Sequence, residues 1–149
     1  MAVTAVRNLH SGRDSEPPCL DGGCAAVLYR FEVGGVSFVW NDTNGPISTQ
    51  APELVTALRA LPASDAEFGA IVGLGTGDAG MRDPVDYAAA LRVATLYPLH
   101  HDGDRQGGSA GFRPGLEAAL AARPGLATTV AWLQDPADYL RPIVLDPAG

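Results

Sequence analysis

The sequence predicts an α/β fold, and two patterns along the chain indicate it. The first part contains two apolar stretches joined by a Gly-Gly pair, which is typical of an antiparallel hairpin. The remainder alternates apolar, strand-like stretches with segments of helical period, which is typical of strands connected by helices. The 149 residues, of which 46% are hydrophobic and 18% charged, are enough for one domain over 1–149 with a buried core.

Three strands are predicted before the first helix. Gly34-Gly35 supplies the positive φ angles that a two-residue hairpin turn requires. Alternation along the second strand puts Leu28 and Arg30 on one face, with Tyr29 on the other. Residues 11–23 and 41–46, rich in Pro, Gly, Asn and Asp, are expected to be loops. The predicted strands are Ala2–His10, Ala25–Val33 and Val36–Trp40.

Helices and strands are expected to alternate over the rest of the chain. Pro52 begins the first helix, and Pro62 ends it. Asp83 is expected to cap the second helix, which runs to about Thr95, and Pro114 to begin the third. The buried stripe of the first helix is Leu54, Val55, Leu58 and Leu61. The strands are Phe68–Leu74, Leu96–Leu99 and Thr128–Leu133, and the irregular tail 135–149 should dock through Tyr139, Leu140, Ile143 and Val144.

Charge and hydropathy restrict the classes of partner. The net charge is −7, and all ten basic residues are scattered arginines, so no basic stripe is available for a phosphate backbone. No apolar run approaches the roughly 20 residues that cross a bilayer, and we expect a cytoplasmic protein. Cys19 and Cys24 could form a small-loop disulfide or remain thiols. Because the chain begins inside a predicted strand, we also expect a missing upstream segment.

Three polar residues lie at the C-terminal ends of predicted strands: His10, Asp42 and His100. Strand ends at one edge of a sheet converge, so residues far apart in sequence can share a cation there. Imidazole and carboxylate ligands suit zinc, manganese or iron. Each residue alone has a plainer explanation, since strand-end histidines and turn aspartates are common. Their joint placement predicts a metal site.

Two other chemistries remain open. Gly75, Gly77 and Gly80 fit the G-x-G-x-x-G pattern of dinucleotide-binding loops, and Asp102 and Asp104 lie at about the spacing of a ribose-binding acid. The predicted helix, however, begins after the third glycine. Nucleophilic catalysis by Ser11, Ser109, Cys19 or Cys24 with a histidine is less favoured, because the chain has no G-x-S-x-G elbow.

Four stretches together resemble the C-terminal half of the metallo-β-lactamase-fold superfamily, closest to its sugar-lactonase-like and ribonuclease-Z-like hydrolases. They are VRNLHSG, AVLYRFEVGGVSFVWNDTNG, FGAIVGLG and DPVDYAAALRVATLYPLHHD. The resemblance implies half of an αββα sandwich, with a mixed sheet and helices on one face. It also implies a metal-dependent hydrolase that acts on a small ester, lactone or phosphoester.

The resemblance assigns roles to individual residues. It implies that His10 ligates one metal, that the catalytic Asp42 bridges two, and that His100 ligates the second. His101 and Asp102 would support these ligands or face the substrate. The implied cofactor is a divalent metal, zinc above all, with two ions in the complete site.

The family's H-x-H-x-D-H motif does not occur in the chain, so the resemblance leads us to expect that the N-terminal metal-binding half is missing and that this chain alone is inactive. The missing half or self-association is therefore expected to complete the protein. The alternative is a degenerate binding module without catalysis.

Overall fold

A six-stranded mixed sheet forms the centre of the computed structural model, whose strands lie side by side in chain order. The structure describes residues 1–10, 12–15, 25–73, 76–100, 108–133, 137–138 and 141–145. The strands are β1 (Ala2–Leu9), β2 (Ala25–Val33), β3 (Val36–Asn41), β4 (Ser64–Ala70), β5 (Val93–Leu99) and β6 (Thr129–Val130). The helices are α1 (Ile47–Gln50), α2 (Pro52–Ala60), α3 (Thr76–Ala79), α4 (Arg82–Leu91) and α5 (Gly108–Ala121).

Strand directions divide the sheet into two parts. β1, β2 and β3 are antiparallel neighbours, whereas β3, β4, β5 and β6 are all parallel. The turn between β2 and β3 has φ angles of 60° at Gly34 and 88° at Gly35, as a tight two-residue hairpin requires. The predicted α/β fold, with antiparallel strands followed by helix–strand alternation, is confirmed.

The hydrophobic core lies between the sheet and the helices. Each connection between neighbouring parallel strands contains at least one helix. Because these strands follow one another across the sheet in chain order, right-handed crossovers place all of these helices on the same face. α4 is central, because it contacts α1, α2 and α5. Fully burying a leucine or valine side chain contributes about 1.5–3 kcal/mol. Such residues come from strands and helices alike: Leu28, Val39, Leu96, Leu58, Leu91 and Leu116.

The opposite face of the sheet carries a continuous row of aromatic rings, which we call the aromatic face. Consecutive rings across β2 to β5 lie with centroids 4.8–6.2 Å apart. Tyr29 is 40% exposed and Trp40 44% exposed, and no helix of the described residues covers them. Val3, Val27 and Val33 extend the apolar surface along β1 and β2. The aromatic face consists of Tyr29, Phe31, Phe38, Trp40, Phe68 and Tyr97.

The predicted boundaries of β4 were wrong, because the strand begins at Ser64 rather than Phe68. Its early residues are polar and hid the strand. In the structure they have distant partners, since the Arg30 side chain donates to Ser64 Oγ (3.3 Å) and Ser37 donates to Asp65 Oδ2 (2.7 Å). Polar residues with such partners can be buried in a sheet at little net cost.

The second predicted helix was wrong at both ends. α4 begins at Arg82, so Asp83 lies within its first turn, where its carboxylate accepts from Arg82 Nε (2.8 Å) instead of capping the helix. It ends at Leu91, since Arg92 adopts a left-handed conformation with φ 51° and β5 begins at Val93. Val93 and Thr95 are β-branched and pair with β4 rather than continuing the helix.

Two C-terminal predictions also need correction. α5 begins at Gly108, so Pro114 lies inside the helix instead of starting it. In the tail, Ile143 is 39% and Val144 74% exposed, so these two residues do not dock it. Tyr139 and Leu140 lie outside the described residues. No described helix combines the length and apolar character needed to cross a membrane.

Candidate metal centre at the carboxyl edge of the sheet

All strands except β2 point their carboxyl ends toward the same edge of the sheet. β1 and β3 run in one direction because each is antiparallel to β2, and β4 and β5 are parallel to β3. His10 follows β1, Asp42 follows β3 and His100 follows β5. All three predicted ligands therefore leave the sheet at this carboxyl edge, where α/β proteins commonly bind ligands.

Asp42 and His100 meet across the end of β4. His100 Nε2 lies 2.9 Å from Asp42 Oδ1, and the His100 and Asp42 side chains are 54% and 59% exposed, respectively. His100 also has φ 58°, a left-handed backbone conformation that is uncommon for residues other than glycine. An exposed pair of this kind contributes little to stability. Both side chains, which could act as metal ligands, are open to solvent.

His10 lies beside the loop that carries Asp42. Gly45, three residues after Asp42, packs so closely on the end of β1 that a Cβ atom there would lie 2.7 Å from the carbonyl oxygens of Leu9 and His10. The His10 side chain is exposed. Within the described residues, however, no three His, Cys, Asp or Glu side chains form a group that could hold a metal ion. The structure thus pairs Asp42 with His100 and does not add His10 as a third donor.

Beneath this edge lies a buried polar network of four side chains. The Tyr87 hydroxyl donates to Asn8 Oδ1 (2.6 Å), and Asn8 Nδ2 donates to Asn41 Oδ1 (2.8 Å). Asn41 Nδ2 in turn donates to Glu67 Oε1 (3.1 Å). All four residues are at most 4% exposed. The network connects β1, β3, β4 and α4 under the segments that carry His10 and Asp42.

Burial dominates the protonation chemistry of this network. Burial raises the pKa of Glu67 from its ordinary value of 4.5 to about 7, against the opposing effect of the hydrogen bond from Asn41. Burial likewise raises the pKa of the Tyr87 hydroxyl. Glu67 Oε2 has no hydrogen-bond partner among the described atoms. This carboxyl group therefore keeps its proton to a higher pH than an exposed glutamate does.

A second charged cluster holds residues 12–15 against α4. Arg82 donates to Asp14 at 2.6 and 2.8 Å and also to Asp83 at 2.6 Å. The hydrogen bond from Arg82 lowers the pKa of Asp14, whereas burial raises the pKa of Asp83 despite the same arginine. Arg82 is shared between the two carboxylates, so the role of this cluster is to attach the segment 12–15 to α4.

The remaining predicted residues divide into two groups. Ser109 lies in α5, Gly77 in α3, and Gly80 has φ 58° in the turn before α4. A dinucleotide-binding loop requires that the following helix begin within the glycine motif. Here α4 begins at Arg82, after the third glycine, so this requirement is not met. Outside the described residues lie Ser11, Cys19, Cys24, Gly75, His101, Asp102 and Asp104.

Sequence reasoning missed the buried network. Asn8 is a polar residue inside the first predicted strand, and that mismatch was the one available signal, because Glu67 precedes the predicted strand Phe68–Leu74. Comparison with family models, with curated proteins and with solved structures found no match to this chain. Function is therefore inferred from the residues and geometry of the chain itself.

Proposed function

We propose that this chain supplies one side of the metal centre of a metal-dependent hydrolase of the metallo-β-lactamase-like superfamily. The observation that carries the proposal is the 2.9 Å approach of His100 Nε2 to Asp42 Oδ1 across the end of β4. An imidazole nitrogen and a carboxylate oxygen at this distance can bind one ion with small side-chain movements, because ligand atoms of a zinc ion lie about 2 Å from it.

The chemistry of these donors fits zinc, and manganese or iron as alternatives. Their number does not complete a site, since a catalytic zinc has three protein ligands. We propose His10 as the third ligand, brought in by movement of its exposed side chain beside the Asp42 loop. A bound metal would polarise the ester, lactone or phosphoester group of a small substrate. The role of Asp42 and His100 is to hold and orient that ion at the sheet edge.

The backbone at His100 supports a functional role for this position. A left-handed φ costs a residue other than glycine about 1–3 kcal/mol and persists only where the surrounding structure enforces it. Here the strain turns the chain sharply at the end of β5, at the residue that contacts Asp42. Backbone strain of this kind is concentrated at functional sites.

The aromatic face supports the proposal that another half is required. An exposed, continuous apolar surface usually marks an interaction site. A second β-sheet packed about 10 Å away would cover such a flat face, and we propose that the N-terminal half supplies that sheet together with the remaining ligands. Self-association of the isolated chain through this face is then expected. A binding module without catalysis is the second candidate function, because the aromatic face could equally be the surface by which such a module binds its partner.

Zinc titration of the purified chain tests the metal proposal. Asp42→Asn and His100→Gln should each weaken zinc binding at least about tenfold in calorimetry, since each removes one ligand. Glu117→Gln removes one half-exposed carboxylate on α5, beside the start of β6 rather than at the carboxyl edge, and should leave the affinity unchanged. Equal zinc affinity in the wild type and both ligand variants would contradict the proposal.

Sedimentation velocity tests the second layer. Replacing Trp40 and Tyr29 with serine should shift the isolated chain toward the monomer, because it removes the two most exposed rings of the aromatic face. Val144→Ser, an apolar-to-polar change at a residue 74% exposed away from the sheet, is the matched control. If the variant with serine at positions 29 and 40 sediments like the wild type and like Val144→Ser, the aromatic face is not the association surface. Self-association without zinc binding would favour the non-catalytic module.

A further inference from the structure

The direction of the hydrogen bonds in the buried network is fixed by the backbone. The main-chain N–H of Leu9 donates to Asn8 Oδ1 at 2.9 Å, and an N–H group can only donate. The oxygen of the Asn8 amide must therefore face Leu9 and Tyr87, which leaves Asn8 Nδ2 to face Asn41. The same reasoning turns Asn41 Oδ1 toward Asn8 and Asn41 Nδ2 toward Glu67.

Glu67 is consequently the required final acceptor. Its Oε1 accepts from Asn41 whether the carboxyl group is ionised or neutral, while Oε2 has no partner among the described atoms. Without that acceptor, Asn41 Nδ2 would be buried and unpaired, which is unfavourable in a folded protein. A Cβ at Gly69 would lie 3.0 Å from Glu67 Oε1, so the backbone of β4 holds the carboxyl group closely.

The network ends directly beneath the proposed ligands. Asn41 immediately precedes Asp42, and Asn8 lies two residues before His10. The backbone N–H of Gly45 hydrogen-bonds the Tyr87 oxygen, so the loop after Asp42 is attached to the same network. A buried network with every bond direction specified holds its members in one arrangement.

We propose that Asn8, Asn41 and Glu67 are positioning residues of the metal centre, which fix the backbone of the segments carrying His10 and Asp42. The inference rests on the proposed function and goes beyond it, because none of these three side chains is a ligand. Each acts through its neighbour: Asn41 through the main chain of Asp42, and Asn8 through the end of β1. Glu67 acts as the acceptor that completes the network.

Two substitutions of Glu67 separate positioning from packing. Glu67→Gln keeps a side-chain oxygen for Asn41, whereas Glu67→Leu has a similar volume and no acceptor. We expect the backbone amide NMR signals of residues 8–10 and 41–45 to keep their positions in the glutamine variant and to shift in the leucine variant. Zinc affinity should stay within about twofold in the former and fall at least about tenfold in the latter, as happens when residues that support metal ligands are replaced.

Leu120→Ala is the structural control. It removes a buried side chain of α5, away from the network, and lowers the stability of the fold by leaving a cavity. Its zinc affinity should nevertheless equal that of the wild type. If Leu120→Ala weakens zinc binding as much as Glu67→Leu does, loss of stability alone explains the effect and the inference is wrong.

The outcomes distinguish this inference from the proposed function. If the wild type binds zinc through Asp42 and Glu67→Leu binds it equally well, the inference fails and the function stands. If Asp42→Asn binds zinc as the wild type does, the proposed function fails. The amide signals then still decide whether the network positions the two segments, because they are measured without metal.

Discussion

Replacing Glu67 with glutamine should change how the stability of the protein depends on pH. The Glu67 side chain is 1% exposed, its Oε2 has no partner among the described atoms, and burial raises its pKa from 4.5 to about 7. The folded protein therefore holds a proton on Glu67 at pH values where the unfolded chain has already released it. Glutamine is neutral at every pH and keeps the oxygen that accepts from Asn41.

The sign and size of the effect follow from proton linkage. Since the folded state binds the extra proton, the contribution of Glu67 to stability is fully present below pH 4.5 and is lost as pH rises to about 7. Each pKa unit corresponds to about 1.4 kcal/mol, so the loss amounts to about 3 kcal/mol. The stability of the Glu67→Gln variant relative to the wild type should thus grow by about 3 kcal/mol from about pH 4 to about pH 8.

Urea unfolding of the wild type and Glu67→Gln between about pH 4 and about pH 8 measures this difference directly. Titration of groups that both proteins share cancels in the comparison. Glu53→Gln, at an exposed position, controls for the loss of one negative charge. A free-energy difference between the wild type and Glu67→Gln that varies by less than about 1 kcal/mol over this range would refute a raised Glu67 pKa.

Two further predictions concern the sheet edge and the opposite end of β3. Gly45→Ala should lower the free energy of unfolding by about 2 kcal/mol, because the new Cβ would lie 2.7 Å from two backbone oxygens. Gly115→Ala in α5, whose Cβ would meet its nearest atom at 3.8 Å, should instead raise it by about 0.5–1 kcal/mol, and thermal unfolding compares the two. Ser37→Ala removes one of the two hydrogen bonds by which Ser37 lowers the pKa of Asp65. It should cost about 1 kcal/mol at pH 7 and less as the pH falls below the ordinary aspartate pKa of 3.8 and through the lowered pKa of Asp65, because the stabilisation is lost as that carboxylate is protonated. Equal costs in urea unfolding at about pH 7 and about pH 2.5 would contradict this.

Local signals account for the parts of the fold that the sequence predicts correctly. Gly34-Gly35 specifies a hairpin on its own, and Pro52 with a periodic leucine stripe specifies α2. The predicted start of β4 was four residues too late, because Ser64 and Glu67 look like loop residues until their partners are known. Those partners, Arg30 and Asn41, lie 34 and 26 positions away. A local sequence pattern does not show that a polar residue can be buried because a residue far along the chain hydrogen-bonds it.

The candidate site divides in the same way. Strand direction alone brings the segments after β3 and β5 to one edge, so the pairing of Asp42 with His100 follows from the α/β pattern. The buried network could not be predicted, because Tyr87 reaches Asn8 over 79 positions and no periodicity encodes that contact. Its one trace among the predicted strands is Asn8, a polar residue inside β1.

X-ray absorption at the zinc edge tests the central claim most directly. The zinc-loaded chain should show imidazole and oxygen ligands at about 2.0–2.2 Å, the distances expected for histidine and carboxylate. The imidazole contribution should disappear in the triple variant His10→Ala, Asp42→Ala, His100→Ala. A spectrum dominated by sulfur at about 2.3 Å would assign the zinc to Cys19 and Cys24 instead. That result, or an unchanged imidazole signal in the triple variant, would contradict a metal centre at this edge of the sheet.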